Sequence, residues 1–202
     1  YTTNIPLCQC DTRSHQASES SRFLCNTSLS LQNASAILHM IFSLLFKETT
    51  YAMYNGPLFI ASDHGGYQLK KRLVRYIKNE LHLDVEDLGP HEYVQTDDYP
   101  DYAIPLAKKV VETNGRGIVI CSSGIGVCMA ANKVAGTRAG MGYSLYAAES
   151  MMYDDNTNIL CLGAKHGSED HNMAITKKWL ESEFSGAERH IRRLNKVADL
   201  NT

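Results

Sequence analysis

Several features are missing from this sequence, and each absence excludes a class of protein. The six cysteines include no CxxC pair, and neither they nor the eight histidines stand at the short paired spacings of a zinc site. We therefore expect no metal and no disulfide framework, which fits a reducing compartment. Lys and Arg number 20 against 22 Asp and Glu, so bulk charge does not indicate binding to nucleic acid or to a membrane surface.

Long apolar runs are also absent. The longest, over residues 36–46, is shorter than the about twenty residues that a membrane-spanning helix needs. The polar, Ser-rich residues before it lack the basic start of a secretory signal. We expect residues 1–52 to be a poorly ordered N-terminal extension, for which an alternative start or a targeting role stays open. Residues 53–202 are expected to form the folded domain.

From Pro57 onward, short apolar runs alternate with amphipathic helical segments, which is the pattern of repeated βα units. The run GIVIC over residues 117–121 is uninterrupted, as in a parallel strand buried on both faces. The fold class predicted is α/β, a doubly wound, Rossmann-like sheet of five parallel strands with helices on both faces. The strands are predicted near residues 57–62, 85–88, 117–121, 138–142 and 158–163, and the helices near 67–80, 100–113, 127–133, 145–152 and 173–184.

Two polar clusters directly follow predicted strands, at the sheet edge where such folds bind ligands. In Asp63-His64-Gly65-Gly66, the carboxylate and imidazole could exchange protons with a hydroxylated ligand, or Asp63 could simply cap the next helix. The second cluster is the glycine-rich turn over residues 121–126. Its amides could hold a phosphate or an enediolate oxygen, and Cys121 could serve as a base or be a buried, inert thiol.

A third cluster, RHIRR over residues 189–193, is also expected at this carboxyl edge of the sheet. Arg189 and Arg193 are four residues apart, so on a helix they share a face and can bind one phosphate together. A solvated basic tail is the alternative. The glycine spacing at residues 121–126 does not match a dinucleotide fingerprint or a phosphate loop, so a nucleotide-binding protein is disfavoured and no cofactor is expected.

Five segments in unbroken order resemble the type B ribose-5-phosphate isomerases, within the ribose/galactose-6-phosphate isomerase family. They are SDHGG, DYPDYA, CSSGIGVCMAANKVAGTRA, DDNTNILCLGA and GAERHIRRL. The resemblance covers about Leu58 to Val197. It implies a cytoplasmic, metal-free aldose–ketose isomerase that moves a proton between C1 and C2 of a sugar phosphate through a cis-enediolate. It also implies a homodimer or tetramer with sites at the subunit interface, completed through Tyr99 and Lys165.

The resemblance also implies roles for single residues. Cys121 matches the isomerisation base, Ser123 the hydroxyl residue beside the reacting oxygens, and Asp63 would bind sugar hydroxyls or relay a proton. The anion hole would be formed by backbone amides, those of Gly124, Ile125, Gly126 and Val127. The phosphate would be held by His64, Arg189 and Arg193, with Lys165 standing where relatives often have an arginine.

One position departs from the family pattern. The family usually has a histidine before the last strand that helps open the furanose ring, and this chain has Asp154 there, with Asp155 in place of a common asparagine. A carboxylate is a poorer proton donor than imidazole at neutral pH. Both residues are still expected at the site, Asp154 in catalysis and Asp155 in substrate binding. Ribose 5-phosphate is the expected substrate, and the alternatives are an acyclic four-carbon sugar phosphate such as erythrulose phosphate, a six-carbon one such as galactose 6-phosphate, or binding without catalysis.

Overall fold

The computed structural model describes residues 52–199, so the prediction of a poorly ordered extension over residues 1–52 lies outside the described residues, except for its last residue. Within this part, strands and helices alternate as the periodicity predicts. The strands are β1 (Leu58–Ser62), β2 (Glu86–Asp87), β3 (Arg116–Cys121), β4 (Ala139–Met141) and β5 (Ile159–Gly163). The helices are α1 (Tyr67–Asn79), α2 (Pro100–Thr113), α3 (Ile125–Ala131), α4 (Leu145–Tyr153), α5 (Glu169–Glu181) and α6 (Glu188–Ala198).

All five strands are parallel and lie in the order β2-β1-β3-β5-β4. The chain passes from β1 to β2 on one side and then returns to β3 on the other, so the winding direction reverses between β1 and β3. In doubly wound sheets, ligands bind outside the carboxyl ends of the strands at such a reversal. The predicted fold class is therefore confirmed, and its reversal point lies beside Ser62 and Cys121.

Each face of the sheet supports a separate hydrophobic core, because alternate side chains of a strand point to opposite faces. On one face, Ile60 and Ile118 pack with Trp179 of α5; on the other, Val119 and Cys161 pack among residues of α2 and α3. β1 and β5 are buried along their whole length. This explains why their sequences are continuous apolar runs and do not alternate.

The helix predicted near residues 173–184 begins earlier, at Glu169. The Ser168 hydroxyl accepts a hydrogen bond from the His171 amide at 3.1 Å, and Glu169 and Asp170 occupy the first turn. A capping serine followed by acidic residues stabilises the amino end of a helix.

Among residues 52–199, the structure contains no helix with the length and apolar character to cross a membrane.

The side chain of Lys70 is buried and joins α1 to the segment after β2. Its Nζ donates to Asp87 Oδ1 at 2.6 Å, to Asp87 Oδ2 at 2.8 Å and to the carbonyl oxygen of Pro90 at 2.6 Å. Only 1% of the Lys70 side chain is exposed, against 27% of that of Asp87. The ammonium group therefore depends on Asp87 for its compensating charge.

We expect Asp87→Ala to lower the free energy of unfolding by about 2–3 kcal/mol. Loss of one partner of a fully buried ion pair costs about 3–5 kcal/mol, and the partial exposure of Asp87 reduces that cost. Urea unfolding followed by the fluorescence of the single tryptophan, Trp179, measures the change. Glu86→Ala, at an exposed position of the same strand, is the control and should stay within about 0.5 kcal/mol. Equal losses of unfolding free energy in both variants would contradict the role of Asp87 as the partner of the buried Lys70.

Candidate functional site

The turn after β1 packs directly on the end of β3. The amide of Asp63 donates to the carbonyl oxygen of Ile120 at 3.1 Å. A Cβ atom added at Gly65 would lie 2.2 Å from Ser122 Oγ and 2.9 Å from the Ser122 backbone nitrogen, so glycine permits this close approach. The first two polar clusters of the sequence therefore form one site at the reversal point between β1 and β3.

The carboxyl group of Asp63 is held within this turn and has a shifted pKa. Its Oδ1 accepts a hydrogen bond from the amide of Gly66, the N-cap residue of α1, at 3.0 Å. This bond closes the turn, but no side chain caps the first-turn amides of α1, so Asp63 does not cap the helix as the alternative predicts. Burial raises the pKa of this carboxyl group, although the Gly66 amide and His64 act in the opposite direction. Asp63 therefore takes up a proton more readily than an exposed aspartate does, which suits a residue that exchanges protons with a ligand.

Cys121 is the last residue of β3, and its side chain turns into the bend that leads to α3. The thiol is 5% exposed, and Sγ accepts a hydrogen bond from the Gly124 amide at 3.0 Å. Gly124 adopts a positive φ of 78°, and a Cβ atom there would lie 2.8 Å from Met141 Cε and 2.9 Å from the Gly163 nitrogen. The glycine therefore permits the bend that orients the sulfur atom.

Two of the four amides predicted to form an anion hole are used within the turn itself. The Gly124 amide donates to Cys121, and the Ile125 amide donates to Ser123 Oγ at 3.3 Å. The amides of Gly126 and Val127 belong to the first turn of α3, which a helix leaves without internal acceptors. In this conformation, side chains of the same turn accept hydrogen bonds from the Gly124 and Ile125 amides, and the role of these two amides in an anion hole stays a prediction.

Tyr99 and Lys165 lie at the same edge as Cys121 in their own chain. A Cβ atom at Gly126 would lie 3.0 Å from the Tyr99 ring, so this ring covers the first turn of α3. The Lys165 amide donates to the carbonyl oxygen of Ser122 at 3.0 Å, and the Lys165 side chain is exposed. The Tyr99 ring and the Lys165 backbone therefore border the site of the chain to which they belong.

Asp97, which holds His64, was missed by the sequence reasoning. Asp97 Oδ1 accepts from the His64 amide at 3.0 Å and lies 2.6 Å from His64 Nδ1. The hydrogen bond to Asp97 raises the pKa of His64 above its ordinary value, with burial acting in the opposite direction. The two residues are 33 positions apart, and nothing in the sequence distinguishes Asp97 from the neighbouring Asp98.

The remaining predicted residues lie at the opposite edge of the sheet. Asp154 follows α4, which starts beyond the carboxyl end of β4 and returns to the amino ends of the strands. There the Asn158 amide donates to the carbonyl oxygen of Arg138, the residue before β4, and Arg138 Nε donates to the carbonyl oxygen of Asn156 at 2.6 Å. Five strand residues span roughly 16 Å. Asp154 and Cys121 of one chain are therefore separated by about the length of the sheet.

The RHIRR segment also lies at this amino edge. His190 is 3% exposed, and its Nδ1 lies 2.9 Å from the carbonyl oxygen of Asp154 and 3.4 Å from Asp154 Oδ1. The prediction of a third cluster at the carboxyl edge is thus wrong, because the path of α4 and the contacts of His190 tie the start of α6 to the other end. Arg189, Arg193 and Asp155 are exposed there.

Contacts of the RHIRR segment fix His190 in one tautomer. Arg189 Nε donates to His190 Nε2 at 2.7 Å, so Nε2 is the accepting nitrogen and Nδ1 donates to Asp154. Ser150 Oγ lies 3.1 Å from Asp154 Oδ2. His190, which the sequence reasoning did not single out within RHIRR, therefore links the arginine to the carboxylate. Among residues 52–199, no group of three or more His, Cys, Asp or Glu side chains could hold a metal ion.

Comparisons with known proteins identify the family of this chain. The family model described as Ribose/Galactose Isomerase matches residues 58–197. A probable ribose-5-phosphate isomerase B of Mycoplasma genitalium is 42% identical over 142 residues, which are 69% of this chain and 92% of that protein. The crystal structure of ribose-5-phosphate isomerase B from Mycoplasma genitalium with bound ribulose-5-phosphate superposes with a TM-score of 0.68 at 40% identity, over 71% of this chain and 95% of that one. The type B ribose 5-phosphate isomerase of Trypanosoma brucei gives 0.68 at 33% identity, over 72% and 99%.

Proposed function

Because this chain belongs to the ribose/galactose isomerase family and is an aldose–ketose isomerase, we propose that it interconverts ribose 5-phosphate and ribulose 5-phosphate. The observation that supports this most directly is the meeting of Asp63, Cys121 and Ser123 at the reversal point of the sheet. Isomerisation needs a base, hydrogen-bond donors for the enediolate oxygens and a group that relays a proton between them. The three side chains that can supply those functions lie at one edge of the sheet.

We assign the proton transfer to Cys121. Its sulfur accepts a hydrogen bond from the Gly124 amide and is shielded from solvent. As the base, Cys121 takes the proton from C2 of the aldose and returns it to C1. The Ser123 hydroxyl and the free amides of the first turn of α3 stabilise the enediolate oxygens, and Asp63 relays the proton between those oxygens. No step in this sequence requires a cofactor.

We propose that the phosphate group and the sugar ring are held by residues from two copies of the chain. His64 and Lys165 lie on the Cys121 side, whereas Asp154, Asp155, Arg189 and Arg193 lie at the opposite edge of the same chain. A second copy that brings its amino edge to this carboxyl edge would complete the site. The exposed apolar side chains of Ile125 and Met129 beside the Cys121 turn, 57% and 59% exposed, favour such an interface.

The second candidate is an acyclic four-carbon sugar phosphate, and Asp154 is the observation that favours it. This residue takes the position of the ring-opening histidine and forms hydrogen bonds with Ser150 and His190. A carboxylate donates a proton to a ring oxygen less readily than an imidazolium does at neutral pH. A substrate that has no ring makes no use of this step.

We expect Asp154→His to raise kcat for ribose 5-phosphate by up to about tenfold, since imidazole is the better acid near neutral pH. The measurement is steady-state isomerisation of ribose 5-phosphate and of four- and six-carbon aldose phosphates by the whole chain. Asp154→Asn is the matched control, because it removes the carboxylate without adding an acid, and it should not raise kcat. Turnover of only a four-carbon substrate would reject ribose 5-phosphate as the substrate. Binding of these sugar phosphates without turnover of any of them would reject the isomerase function.

We also propose that residues 53–202 are the isomerase domain and that residues 1–52 are an extension to it. The family match over residues 58–197 supports this division.

Cys121, Cys128 and Cys161 are free thiols. We place the reaction in the cytoplasm, where thiols such as these stay reduced.

A further inference from the structure

The segment between β2 and α2 places a carboxylate in contact with His64. Asp97 has a side chain that is 7% exposed, and a charged group at this depth is costly unless it is paired. Its Oδ1 lies 3.0 Å from the His64 amide nitrogen and 2.6 Å from His64 Nδ1. One oxygen atom thus fixes both the backbone and the ring of His64. Asp98, next to it, is exposed.

The charged and titratable groups around this pair are few. Asp63 and Asp97 face His64, and His64 and Tyr102 face Asp97. Burial opposes the ionisation of Asp97, but hydrogen bonds from the His64 amide and ring, with a contribution from the Tyr102 hydroxyl, lower its pKa. Burial and the same carboxylate raise the pKa of Tyr102. Asp97 therefore stays ionised beside an imidazole that gains a proton more readily than usual.

We propose that Asp97 is a positioning residue that holds His64 with Nδ1 toward the protein and keeps the ring doubly protonated, so that Nε2–H donates to the substrate phosphate. This inference rests on the proposed isomerase function only for the identity of the ligand. The geometry itself needs no ligand, because both contacts of Asp97 are made within the chain. A charge-assisted donor binds a phosphate more tightly than a neutral one.

The sign of the pH dependence follows from the direction of the shift. A raised pKa means that, at a given pH, more of His64 is imidazolium than in an unperturbed histidine, and that the proton is lost at a higher pH. With Nδ1 facing Asp97, loss of that proton leaves Nε2 as an acceptor, which repels phosphate oxygens. Removal of the Asp97 charge makes His64 lose its proton at a lower pH. Without that charge, binding of the phosphate therefore weakens more at alkaline pH than at acidic pH.

The test compares Asp97→Asn with Asp98→Asn in the whole chain. Nuclear magnetic resonance titration of the His64 ring nitrogens without ligand, assigned by the signal lost in His64→Gln, should show a lowered pKa in Asp97→Asn only. For ribose 5-phosphate, KM of Asp97→Asn should rise about tenfold at pH 8 and less than about twofold at pH 6, with kcat within about twofold. Asp97→Glu, which keeps the carboxylate, should recover most of the affinity at pH 8.

Three outcomes would overturn the proposal. One is an unchanged His64 titration in Asp97→Asn, and another is a rise in KM of equal size at pH 6 and pH 8, which a merely structural role would produce. The third outcome is measured on the wild-type chain and so applies even if Asp97→Asn does not fold. It is a His64 ring that is neutral at pH 7 and has its proton on Nε2. Failure of the chain to isomerise ribose 5-phosphate would reject the proposed function, while the titration would still test Asp97.

Discussion

Cys121→Ala is expected to lower kcat for ribose 5-phosphate by about 10³- to 10⁴-fold and to leave KM within about threefold. A positioned general base contributes about 10²–10⁴ in rate. Cys161 cannot replace it, since its side chain lies in the core and burial raises its pKa well above the ordinary range. At 10³-fold, the loss of transition-state stabilisation is about 4 kcal/mol. Steady-state kinetics at saturating substrate measure it.

The matched control for this variant is Cys128→Ala. Cys128 lies on α3, seven positions after Cys121, with its thiol near the carbonyl oxygen of Ala139 at 3.5 Å and outside the proposed chemistry. Its kcat should remain within about twofold of wild type. If Cys121→Ala kept more than about a tenth of the wild-type kcat, the cysteine could not be the base, and Asp63 would be the next group to test.

Two inactive variants, Cys121→Ala and Arg189→Ala, are expected to restore activity when mixed. Cys121 and Arg189 lie at opposite edges of the sheet, so in a two-copy site they come from different chains. Random reassociation makes about half of the dimers mixed, and each mixed dimer has one intact site, which gives about a quarter of wild-type activity. The measurement is the isomerisation rate after the two variants are dissociated together in mild denaturant and allowed to reassociate.

The control for this mixing experiment pairs Cys121→Ala with Asp63→Asn. Both substitutions lie at the carboxyl edge, so every site in a mixed dimer keeps one defect and the rate should not recover. If this control also recovered activity, the recovery could not be attributed to a site that combines opposite edges of two chains. If the Cys121→Ala and Arg189→Ala mixture stayed inactive while the two chains were shown to associate, the two-copy site would be disproved.

The elements nearest to local sequence rules were predicted well. β3 follows from the uninterrupted GIVIC run, and α2 ends where Asn114 adopts a left-handed conformation, as the Asn-Gly pair predicts. Periodicity and turn chemistry depend on neighbouring residues, which a sequence displays directly. Element ends were less accurate: α5 starts at Glu169 because of a side-chain cap at Ser168 that the prediction overlooked.

The candidate site was predicted in part. The turns after β1 and β3 meet as expected, because parallel strands bring their carboxyl ends to one edge. The expected position of the RHIRR segment was wrong, because it depends on the direction and length of α4 and on the contact of His190 with Asp154. The use of the Gly124 and Ile125 amides could not be read from the sequence either, since it depends on side-chain rotamers in the folded turn.

The sequence by itself determined the fold class, the family and the residue types of the chemistry at the end of β3, because these follow from local periodicity and from motifs in a fixed order. Only the tertiary structure decided which residues share an edge of the sheet and which partner holds His64. Asp97 lies 33 positions away from that histidine, and its 2.6 Å contact exists only because the segment after β2 returns across the end of β1. Contacts between distant segments depend on the packing of the whole domain, and a single sequence contains no local signal for them.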